Sequence, residues 1–138
     1  MKLLTMPKIM ESKFISDHEL WFFIAKRDFQ AAQLLLKYLF THQAAYFFQQ
    51  SAEKALKGYL RANSIAIKRT HELADLITLC KDHNVAFHVL LEFADFLSEY
   101  SMRSRYPGPR YEPNLSRYEV GVLMGHANDI ITLSLKLL

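Results

Sequence analysis

The stretch THQAAYFFQQSAEKALKGYLRA, residues 41–62, reads as one long amphipathic helix, and the fold follows from it. Ala45, Phe48, Ala52, Ala55, Leu56 and Tyr59 recur at steps of three and four, the spacing that gathers side chains on one helical face. Thr41 is placed to cap its start, and Asn63–Ser64 end it. Glu53, Lys57 and Arg61 follow one another at steps of four and are expected on a solvated or partner-facing side.

Working outward, the same period runs through the flanks. Ser16 with Glu19 predicts a capping box, and behind it Phe22, Ala25, Phe29, Ala32, Leu36 and Leu39 form the stripe of a first helix. A short third helix is expected from Glu72 to His83, with Leu73, Leu76, Ile77 and Cys80 inward and Asn84 as the stop. A fourth is expected from Phe87 to Met102, burying Leu90, Phe93, Ala94, Leu97 and Tyr100. Ser116 with Glu119 opens a last helix whose stripe is Val120, Met124, Ala127, Ile131, Leu135 and Leu138. Gly121 and Gly125, one turn apart, suit the close approach of another helix. The chain is therefore read as all-α, an up-and-down bundle of about five helices. Residues 1–15 are an N-terminal extension and 16–138 one domain.

Composition agrees. Only four glycines and four prolines occur in 138 residues, and Pro107, Pro109 and Pro113 share one segment. An apolar share of 51% supports a real core and argues against disorder. The longest apolar run, Leu20–Ala25, is too short to cross a bilayer, and the first fourteen residues lack a secretory apolar core, so no membrane role is expected. A single cysteine excludes an internal disulfide and favours a reducing, cytoplasmic setting. The net charge of +3 permits phosphate-bearing partners without demanding them.

Enzyme motifs are sparse. The six histidines form no His-x-x-x-His pair and no Glu-x-x-His occurs, so no metal site is expected. Gly-rich phosphate loops and a Gly-x-Ser-x-Gly elbow are absent, so no cofactor is expected, and Cys80 reads as a packed thiol. The one conspicuous local feature is Arg103-Ser104-Arg105-Tyr106-Pro107-Gly108-Pro109-Arg110-Tyr111, followed by Arg117, with Glu112 the only acid among these arginines. Arginine's planar fork suits phosphate oxygens, and Tyr106 or Tyr111 suits stacking on a base. Read plainly, the same arginines are a solvated helix end, since cations favour helix C-termini. The interleaved aromatics and prolines favour phosphate binding by Arg103, Arg105 and Arg110, with Tyr106 stacking or donating a hydrogen bond. Phe22, Phe23, Phe47, Phe48, Phe93, Phe96 and Tyr100 exceed what single faces bury, which predicts a homodimer.

Ala25-Lys26-Arg27-Asp28-Phe29, the run Ala45 to Leu60 with its Gln-Ser-Ala-Glu-Lys-Ala-Leu-Lys core, Thr70-His71-Glu72-Leu73 and Ser104-Arg105-Tyr106-Pro107 together resemble HEPN domains. The resemblance covers roughly Ser16 to the C-terminus. It implies a small helical bundle that dimerises and often works with a minimal nucleotidyltransferase, in some cases as a toxin–antitoxin pair. It also nominates Lys54 and His71 for the ligand site. Some members cleave RNA without metal through an arginine followed, after four to six residues, by a histidine. No arginine here has that histidine; Arg105 meets Tyr111 instead, and a phenol with an ordinary pKa near 10 is a poor proton shuttle. The favoured reading is a non-catalytic module binding nucleotide or RNA phosphate. The alternatives are a metal-independent endoribonuclease toxin using His71 from another helix, and a dimeric scaffold whose basic loop binds protein.

Overall fold

The Ser16 hydroxyl accepts the Glu19 amide at 3.3 Å, the Ser16 side of the expected capping box, and helix α1 runs Asp17–Lys37. In this computed structural model residues 16–67, 69 and 72–138 are described, with the side chains at 101, 102 and 105 excepted. The extension 1–15, Lys68 and His71 lie outside them. The remaining helices are α2 (Thr41–Ala62), α3 (Leu73–His83), α4 (Leu91–Arg105) and α5 (Arg117–Lys136), with a 3₁₀ helix at Val85–Leu90 and no strand among the described residues.

Helix α2 is the centre. It packs on each of the other four α-helices, and 13 of its 22 residues are buried, on more than one face, as a helix surrounded by others must be. All six apolar positions expected to face inward do so. Ion pairs Arg61–Asp17 at 3.4 Å, between the end of α2 and the start of α1, and Lys54–Asp28 at 2.5 Å, between their middles, run in opposite order along the two helices, which makes the pair antiparallel. Gly58 makes room for a side chain of α1: a Cβ there would lie 2.9 Å from the Phe22 ring. In α3, Leu73, Leu76, Ile77 and Cys80 are buried as expected. Burial pushes the Cys80 thiol up to about 12, consistent with a packed rather than reactive group.

Several expectations need correction. Glu53 is buried, not solvated, on a helix that packs on all the other α-helices, and a 3.1 Å hydrogen bond from Lys57 one turn on compensates its charge. Leu39 leaves the α1 stripe and is 64% exposed. Its φ is 64°, and the Leu39 and Phe40 amides donate to the Leu36 and Leu35 carbonyls, which is a Schellman turn with leucine at the left-handed position. Ser64, φ 56°, ends α2 in the same way. Helix α2 begins at Thr41 behind Phe40, with no side-chain cap. The fourth helix starts at Leu91, because the Asn84 side chain accepts from the Ala86 amide and opens the 3₁₀ turn that buries Phe87 and Leu90. It continues past Met102 to Arg105. In α5 the Ser116–Glu119 capping box is complete and Val120, Ala127 and Ile131 are buried as expected, but the core face also carries Leu123, Ile130 and Ser134, while Met124 and Leu135 are half-buried and Leu138 is exposed. Nothing stands within 4 Å of a Cβ built on Gly121 or Gly125, so no helix among the described residues uses that close approach. No described helix is long and apolar enough to cross a membrane.

Candidate functional site

The last turn of α4 delivers Arg103, and Pro107, Gly108 and Pro109 then reverse the chain. Gly108 supplies a φ of 139°, a conformation that residues with a Cβ rarely adopt, and the Tyr111 amide closes the turn on the Gly108 carbonyl at 3.1 Å. The reversal brings Glu112 back onto the helix it left. Its amide donates to the Arg103 carbonyl at 2.8 Å, an acceptor orphaned by the helix end.

Glu112 is the hub of the loop. Its Oε2 accepts from Arg103 Nη2 at 3.2 Å and its Oε1 accepts the Asn114 amide at 3.0 Å. The Arg103 guanidinium carbon also lies 4.9 Å from the centre of the Tyr100 ring, a cation–π contact one turn back on α4. Partial burial works against the Arg103 charge, but hydrogen bonding and Coulomb attraction to Glu112 and Tyr100 outweigh it and hold the group above its ordinary range.

The far wall comes from α2. His42 Nε2 lies 2.7 Å from the Glu112 carbonyl oxygen, and its ring stacks on Tyr111 at 5.4 Å between centres with 16° between planes. A carbonyl only accepts, so it is Nε2 that carries a hydrogen in this contact. A basic helix end, a phenol and an imidazole thus meet at one end of the bundle.

The nominated residues divide. Arg103 is central, while Tyr106 and Arg110 lie exposed on the loop. Arg105 is the last residue of α4, and its side chain, like His71, lies outside the described residues. Arg117 borders a surface depression with Tyr118, Gly121 and Val122 at the start of α5. Lys54 is paired with Asp28 and stands about 18 Å further along α2 than His42 at a rise of ~1.5 Å per residue. Sequence reading missed His42, whose only signal was a place near the start of α2, and passed over Glu112 as a lone acid. No group of three metal-ligating side chains occurs among the described residues.

A helical bundle with an arginine-bearing loop after its fourth helix defines a class, and comparison supplies the family. The HEPN domain model matches residues 18–138, and the chain belongs to the HEPN domain family. The crystal structure of TT1696 from Thermus thermophilus is similar at 28% identity, with 90% of this chain and 100% of that one covered and a TM-score of 0.79. ST0689, described as an archaeal HEPN homologue, is similar at 27% identity over 89% of this chain and 98% of that one, with a TM-score of 0.72. No curated protein matches the chain.

Proposed function

We propose that this HEPN domain binds the phosphate of a nucleotide or RNA through the Arg103–Tyr111 loop, without cleaving it, and works beside a nucleotidyltransferase partner, as in a toxin–antitoxin pair. The observation that carries the reading is the loop's construction. Arg103 is held at a helix end against the Tyr100 ring, and Tyr111 is seated on His42. Prepositioned cations beside aromatic rings lower the ordering cost of binding a phosphate with an attached base. Arg110 and Tyr106 are exposed where they can join the contact, and Arg105 is proposed to act with them. A second copy of the chain is the proposed structural partner, supported by large apolar side chains left at the surface, among them Phe96 at 52% and Tyr118 at 82% exposure.

One observation favours a second reading. The family's sequential histidine is missing, yet the fold seats His42 against the loop, so a metal-independent endoribonuclease would find an imidazole there. Incubating the chain with end-labelled RNA and with nucleoside triphosphates, in the presence of a chelator, separates the readings. Binding with intact RNA supports the first; cleavage lost in His42→Ala supports the second. Absence of both leaves a protein-binding scaffold, and light scattering at about twice 16.1 kDa would report its dimer.

A further inference from the structure

The guanidinium nominated for phosphate already holds an anion, the Glu112 carboxylate. We propose that Glu112 is an internal competitor, occupying Arg103 until an incoming phosphate displaces it, so that this one side chain sets the affinity of the site. The inference rests on the phosphate-binding reading and adds the residue that tunes it.

The backbone and the side chain of Glu112 do separate jobs. Its amide is tied to the Arg103 carbonyl at 2.8 Å and its carbonyl to His42 at 2.7 Å. These bonds hold the loop whether or not the carboxylate stays. The carboxylate itself reaches Arg103 through one nitrogen, Nη2 to Oε2 at 3.2 Å, not by the two-pronged geometry that makes arginine pairs strong. Both side chains remain about 30% exposed, at 28% and 31%, so an anion in solution can reach the pair, and such pairs are weak. Rotation of the Glu112 side chain frees the fork and gives up the Asn114 bond, while the two backbone bonds keep the loop in place. Glu112 is also the only acid between Glu99 and Glu119 in a run with four arginines, so it is the one carboxylate that the loop itself carries.

A carboxylate that merely props the loop makes the opposite prediction, because its removal would then weaken binding. The test compares the full chain with Glu112→Gln, Arg103→Ala and the double variant. A fluorescein-labelled oligouridylate is the probe and inorganic pyrophosphate the unlabelled competitor, at fixed low salt. Glutamine keeps the shape and the Asn114 bond but removes the charge. Glu112→Gln is expected to bind about two- to fivefold tighter, the range a partly exposed ion pair is worth. The double variant should bind no tighter than Arg103→Ala. Equal or weaker binding by Glu112→Gln, with the parent's binding still dependent on Arg103, overturns the competitor and leaves the phosphate reading standing. A gain that survives in the double variant also overturns it. If neither parent nor Glu112→Gln binds, the phosphate reading falls and the competitor with it. In the unsubstituted chain, pyrophosphate should shift the NMR signals of the Arg103 Nε–H and the Glu112 carboxyl carbon together. An Arg103 shift with Glu112 unmoved contradicts displacement without recourse to any variant.

Discussion

His42 Nε2 donates to the Glu112 carbonyl oxygen across 2.7 Å, joining the first turn of the central helix to a loop 70 positions later in the chain. That bond, with the Tyr111 ring stacked on the same imidazole, turns an exposed chain reversal into a fixed surface. Replacing His42 by alanine removes the donor and the stacking partner together. The urea midpoint of His42→Ala should fall by the equivalent of about 1–2 kcal/mol, with an unchanged slope. An unchanged midpoint would show that Arg103 and Glu112 hold the loop by themselves.

Gly58 gives a second test, because two effects oppose each other there. Alanine in a helix interior gains about 1 kcal/mol over glycine. Here its methyl would sit 2.9 Å from the Phe22 ring, a side chain only 5% exposed and unable to move aside cheaply. Overpacking of this kind costs about 1–3 kcal/mol, so Gly58→Ala should be destabilising on balance. A raised melting temperature would mean that α1 and α2 are less tightly apposed than described.

Leu39 should behave in the opposite way. Its φ of 64° costs about 1–2 kcal/mol for a residue with a Cβ, and its exposed side chain recovers little. Leu39→Gly is expected to raise stability by about 0.5–1 kcal/mol despite glycine's greater freedom when unfolded. Thermal or urea unfolding reads this directly. A loss of stability would place Leu39 in a contact such as the proposed dimer interface.

These substitutions also mark how far the sequence could be read. The helices were legible because their apolar residues recur at the helical period, and in α2 and α3 each position expected inward is buried. Leu39 satisfies the same period, yet the Schellman turn stops the helix two residues earlier, and periodicity carries no sign of that. Glu53 and Lys57 have the spacing of a surface pair, and only the neighbours that cover them distinguish a buried one. In α5 the period allows Leu123 or Met124 to face inward; packing on α2 selects the rotation that fully buries Leu123 and adds Ile130 beside the expected Ile131. The arginine loop was visible as composition. Its partners were not, because Glu112 meets Arg103 through a chain reversal and His42 arrives from another helix.

The proposed function is tested most directly by titrating labelled single-stranded RNA into the parent, Arg103→Ala and Arg103→Lys over a series of salt concentrations without metal. Arg103→Ala should weaken binding by about 1–3 kcal/mol, and the slope of log affinity against log salt should flatten by about 0.7, one phosphate contact on a single strand. Lysine should restore the slope and only part of the affinity, because it returns the charge without the planar fork. Helical content should be the same in all three. No measurable binding by the parent, or equal affinity and slope in Arg103→Ala, would contradict a phosphate site at Arg103.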